Sequence, residues 1–97
     1  MNKTFTTSNQ NGTYISFLEY EYEEDFESFL TFLSSKLNFE ASPVSRGPYS
    51  LLVEIVVDGS ALTASYNTDA DCYLYIPAGV KLTSDEIIKR CFGEAGA

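Results

Sequence analysis

Two runs of alternating residues, Ser50 to Val57 and Ser60 to Tyr66, are separated by the dipeptide Asp58-Gly59. Both central positions of a two-residue type I′ hairpin need positive φ, and Asp-Gly supplies them at low steric cost. Closing the chain on two residues also fixes the register: Val57 pairs with Ser60, Ile55 with Leu62, Val53 with Ala64 and Leu51 with Tyr66. That set is apolar. The alternate set pairs Val56 with Ala61, Glu54 with Thr63 and Leu52 with Ser65, and is mixed, so turn chemistry and hydrophobic pattern select the same core face. This hairpin commits the chain to an antiparallel sheet with one buried side.

The flanking segments extend that sheet and supply its cover. Asn67 to Asp71 reads as the next turn and Cys72 to Ile76 as the next strand, closed by Pro77. Its alternation points Cys72, Leu74 and Ile76 inward and leaves Tyr73 and Tyr75 on the open face, beside Glu54 and Thr63 if the strands pair consecutively. Thr13 to Tyr22 also alternates, with Tyr14, Ser16, Leu18, Tyr20 and Tyr22 on one side and Ile15, Phe17, Glu19 and Glu21 on the other, which predicts a strand. Phe26, Phe29, Leu30, Leu33 and Leu37 recur at helical spacing behind Glu23-Glu24-Asp25, predicting a helix over about 23–37 with acids at its positive end. Thr83-Ser84-Asp85-Glu86 has the form of a capping box. It opens a short helix, about 84–92, with Ile87, Ile88 and Cys91 inward and Gly93 as its stop. Residues 1–12 read as loop or a short edge strand, and Asn38 to Tyr49, with Pro43, Gly47 and Pro48, as loop with a short extended piece. The expected fold is a single α+β domain over residues 1–97, in the order β-α-β-β-β-α, with two helices on one face of an antiparallel sheet.

A chain of 97 residues with 44% hydrophobic residues can bury a core without a metal or disulfide staple. Fourteen Asp and Glu stand against six Lys and Arg, giving a net charge of −8, which disfavours binding to a phosphate backbone. There is no His. Imidazole bases, His-activated nucleophiles and His metal ligands are therefore excluded, and no other catalytic motif replaces them. Cys72 and Cys91 read as buried thiols of a reducing compartment rather than a bridge. No apolar run near the N-terminus has signal-peptide character and none reaches membrane-span length, so the expected location is the cytoplasm and no membrane partner is expected.

The charge is uneven. Glu19, Glu21, Glu23, Glu24, Asp25 and Glu27 fall within nine residues, and no Lys or Arg lies between Thr4 and Ser35. Some of these acids serve the helix N-terminus, but such crowding costs self-repulsion and suits a charged binding face. Glu54, Asp69 and Asp71 are candidates to extend that face, and Tyr73 and Tyr75 are candidate contact residues, because a tyrosine combines ring area with a hydrogen-bonding tip. Asn67-x-Asp69-x-Asp71 opens like a calcium loop, yet the glycine and glutamate that such a loop needs are replaced by Cys72 and Ala78. No metal or cofactor is expected.

The helix, three strands and second helix over about 23–93, with Gly47-Pro48 ahead of the Leu51 strand, resemble the order of double-stranded-RNA-binding domains. The lysine cluster of that family would align with Leu82 to Ile87, which here reads Leu-Thr-Ser-Asp-Glu-Ile, so the resemblance reaches topology and not RNA binding. In size, acidity, lack of His and α+β build, the whole chain resembles the small immunity proteins that bacteria pair with toxins, including those of contact-dependent growth inhibition. That resemblance implies a non-enzymatic inhibitor, a monomer alone and a heterodimer with its basic toxin, often a nuclease, whose functional surface it occludes with carboxylates. A nucleic-acid mimic, an oligomerising module and a small carboxylate- or metal-dependent enzyme are the competing expectations.

Overall fold

A computed structural model describes residues 4–48, 50–68 and 70–93. The hairpin forms as its turn dictates: β5 (Ser50–Val57) and β6 (Ser60–Asn67) pair in the register set out above, from Leu51 opposite Tyr66 to Val57 opposite Ser60. Asp58 and Gly59 have φ of 52° and 80°, the positive pair that a type I′ turn requires. β7 (Ala70–Pro77) returns beside β6, with a register shift between Ser65 and Asn67.

Five further elements are β1 (Thr4–Asn9), β2 (Gly12–Phe17), α1 (Phe26–Lys36), β3 (Phe39–Ala41) and β4 (Ser45–Arg46). The last helix, α2 (Ser84–Phe92), is capped by the Thr83 hydroxyl, which accepts from the Glu86 N–H at 3.2 Å. All strands join one antiparallel sheet in the order β1-β2-β7-β6-β5-β3, with β4 also on β5.

The α+β architecture agrees with the sequence reading; two boundaries are corrected, and two segments read as loop with a possible short strand form strands. Within residues 1–12 the short edge strand forms, and residues 4–9 pair with 12–17 as a full hairpin; the Asn9 carboxamide oxygen closes its turn by accepting the Asn11 and Gly12 N–H groups at 2.8 and 3.2 Å. Gly12 is needed there, since a Cβ would run into the Ile76 carbonyl of β7. The strand expected to reach Tyr22 ends at Phe17, because the chain turns and the Tyr20 N–H donates to the Phe17 carbonyl at 3.0 Å. Glu23–Asp25 form a 3-10 turn ahead of α1, and the 38–49 segment contributes the two short strands β3 and β4.

The core lies on one side of the sheet. Ile15 and Phe17 of β2, Leu51, Val53, Ile55 and Val57 of β5, Leu62 and Ala64 of β6, and Cys72, Leu74 and Ile76 of β7 are buried together with Phe26, Phe29 and Leu33 of α1 and Ile87 and Cys91 of α2. Phe17 touches both helices, with ring centroids 5.1 Å from Phe29 and 6.2 Å from Phe92. Each fully buried side chain of this kind contributes about 1.5–3 kcal/mol.

Candidate functional site

The acidic segment leaves β2 and enters α1 at one end of the sheet. Tyr20 anchors it, its ring packing 5.6 Å from Phe29 and 5.8 Å from Phe32 while its carbonyl accepts the Cys72 N–H at 2.9 Å. That bond sets the segment against the first residues of β7, so Asp71 joins the acids of the β2–α1 junction. One oxygen of Asp25 accepts the Tyr22 N–H at 3.1 Å, and Asp25 is half-buried in this capping role. Glu19, Glu21, Glu23, Glu24 and Glu27 are exposed. Arg46 approaches Glu23 at 3.8 Å, but both side chains are mostly exposed, and a pair of that kind is worth little.

The field of these acids registers on buried neighbours. The Tyr20 hydroxyl is pushed above its ordinary range by burial and then by Glu19 and Asp25. The Cys72 thiol is pushed up to about 12 by burial, with Asp25 and Asp71 adding to it, and Cys91 to about 11 by burial against a small opposing effect of Lys36. Both cysteines are free and buried, so neither is poised as a thiolate nucleophile. Among the described residues no three Cys, Asp or Glu converge as metal ligands.

The candidate residues divide between two surfaces. Glu19, Glu21, Glu23, Glu24, Asp25, Glu27 and Asp71 share the acidic end, whereas Asp69 lies outside the described residues. Glu54 is not at that end. It sits midway along β5 on the open face, opposite Thr63, which in turn lies opposite Tyr75. The expected neighbourhood of Tyr73, Tyr75, Thr63 and Glu54 is therefore present, apart from the acidic end.

Sequence reasoning missed three aromatic residues. Tyr14 joins the open face because β2 lies beside β7, with its ring centroid 4.8 Å from Tyr75 and 5.8 Å from Tyr73. Phe5, 62% exposed, continues that face at the β1 edge, opposite Ser16. Tyr22, expected on a strand face, is instead 60% exposed among Glu21, Glu23 and Glu24. Its position in an acid run was the available signal.

Among the described residues no helix is long and apolar enough to cross a membrane. Comparison of the chain with protein-family models, with curated proteins and with solved structures finds no match.

Proposed function

We propose that the protein is a non-enzymatic inhibitor of the immunity type, which binds a basic protein toxin in the cytoplasm and occludes its functional surface. The observation that carries this reading is the acidic end. Seven carboxylates, Glu19, Glu21, Glu23, Glu24, Asp25, Glu27 and Asp71, gather where β2 passes into α1 and β7 begins, on a chain already at −8. Charge of one sign concentrated on a rigid scaffold steers an oppositely charged partner and selects against acidic ones. Tyr22 stands exposed among these acids and supplies the aromatic anchor that charge alone lacks.

The test pairs the protein with the product of the gene adjacent to its own. Co-expression is expected to rescue growth of cells poisoned by that product, and association is expected to slow steeply as salt rises. Glu21→Lys, Glu24→Lys and Glu27→Lys combined are expected to reduce the association rate by about tenfold or more, within the range that steering supplies. Tight binding with a rate indifferent to both salt and this triple change overturns the acidic end as the interface, and failure of rescue overturns the inhibitor reading.

A further inference from the structure

The two edges of the sheet are built differently. Beyond β5 lie β3 and β4, three and two residues long, separated by a stretch containing Pro43 and bearing Glu40 and Arg46. Short strands, a proline and charged side chains are the devices by which proteins keep an edge from pairing. The opposite edge has none of them. β1 reads Thr-Phe-Thr-Thr-Ser-Asn, pairs with β2 without a bulge from Thr4 opposite Phe17 to Asn9 opposite Gly12, and has no strand beyond it among the described residues. Its side chains are all neutral, and residues 4–18 form the longest uncharged stretch of the chain.

We infer that β1 is the self-pairing edge of a two-fold homodimer, in which β1 of one copy pairs antiparallel with β1 of a second. Three observations select a second copy as the occupant. First, the edge is neutral where the rest of the chain is acidic, so two copies meet there with no charged side chain from residues 4–18 in the contact. Second, antiparallel pairing places the acidic ends, which adjoin the Thr4 end of each β1, at opposite ends of the joined sheet. β1 alone spans roughly 20 Å, beyond the roughly 8–10 Å over which surface charges act at physiological salt. Third, Thr6 and Ser8, on the helix-bearing side of β1, are exposed, so neither helix overhangs the edge.

Side-chain alternation narrows the register. A two-fold perpendicular to the sheet keeps both helix layers on one side, which requires Thr6 opposite Thr6 and Phe5 opposite Thr7, or the equivalent pairing centred on Thr7. The open faces then merge, with Phe5 of each copy at the seam on the side that carries Tyr14 and Tyr73. The edge is also held in place before pairing: the Asn11 carbonyl in its turn accepts the Tyr75 hydroxyl at 2.7 Å and the Ala78 N–H at 2.9 Å. Assembly stops at two copies, because the edges left outermost are the protected β3/β4 edges. One short strand pair buries less than a standard interface, so the dimer belongs to the weak, concentration-dependent class.

Sedimentation of the full chain from low micromolar to millimolar concentration tests this. The mass is expected to rise from 10.8 kDa toward twice that value. Thr6→Lys and Thr6→Glu change net charge in opposite directions, yet both set like charges across the two-fold, directly opposite in the register centred on Thr6 and diagonal in the one centred on Thr7. Both are expected to weaken self-association by about two- to fivefold, while Ser45→Lys at the protected edge leaves it unchanged. Circular dichroism confirms that each variant is folded. A wild-type mass that stays at 10.8 kDa throughout, or self-association that neither Thr6 change weakens, overturns the inference. Either result leaves the acidic-end reading standing, since that reading predicts weaker binding at high salt and uses other residues.

Discussion

β5 shows in eight residues how differently the two faces of this sheet are used. Leu51, Val53, Ile55 and Val57 are buried under the helices, while Leu52 and Val56 on the other side are 39% and 45% exposed. Leu52 and Val56 are as apolar as the buried set and share its backbone, although Ser50 and Glu54 also face that side. What separates them is cover: α1 and α2 supply one layer, and Phe17 takes contacts from both, so nothing in the described chain remains for the second face. The open face compensates with groups that tolerate water, as in the Tyr14, Tyr73 and Tyr75 cluster, whose rings pack on each other and whose hydroxyl ends are polar. Apolar character alone therefore does not define the core of a small α+β domain; the number of covering layers does.

Neighbouring residues of β7 give the strongest test of that difference. Leu74→Ala removes a fully buried side chain and is expected to cost about 2–5 kcal/mol. Tyr75→Ala removes one ring contact and one hydroxyl bond to the Asn11 carbonyl, and is expected to cost about 1–2 kcal/mol. Urea unfolding of the two variants measures both. Equal losses would mean that the open face is packed as the core is.

The sequence carries the faces better than it carries the neighbours. The β5–β6 register, the inward set of β7 and the bounds of α2 follow from local chemistry: a turn dipeptide, a period of two and a capping threonine. β1 has no such signal, since Thr4 to Asn9 bury little and are held by backbone bonds that any side chain permits. Alternation overran β2 because Tyr20 and Tyr22 continue the pattern past Phe17 although the chain has turned. The acidic run is visible as composition. The union of Tyr14 with Tyr73 and Tyr75 is not, because it depends on β2 lying beside β7, a pairing of residues about sixty positions apart.

The helix side of the sheet also differs in its response to pH. Burial pushes the Cys72 thiol up to about 12 and the Cys91 thiol up to about 11, above the ordinary thiol range. Above pH 9 the unfolded chain releases these protons and the folded chain keeps them, so the unfolded state gains and stability falls as pH rises. The slope is expected to approach about 1.4 kcal/mol per pH unit for each thiol until its folded value is reached. Denaturant midpoints between about pH 8 and 10.5 measure it, and Cys72→Ala with Cys91→Ala is expected to flatten the curve. An unchanged slope in that double variant would assign the alkaline loss to other groups.

The smallest effect is the most informative about what covers the open face. Val56→Thr keeps volume and β-branching and exchanges a methyl for a hydroxyl, so on an uncovered surface it is expected to change stability by no more than about 0.5 kcal/mol. The adjacent Val57 is fully buried, and the same exchange there strands a hydroxyl in the core at a cost of about 1–3 kcal/mol. Measuring Val56→Thr at low micromolar and at near-millimolar concentration separates two sources of cover. A loss above about 1 kcal/mol at both concentrations would mean that the face is shielded within one chain. A loss that emerges only at high concentration would mean that a second molecule lies over β5, which edge pairing through β1 does not provide, because β5 stands four strands away from that seam.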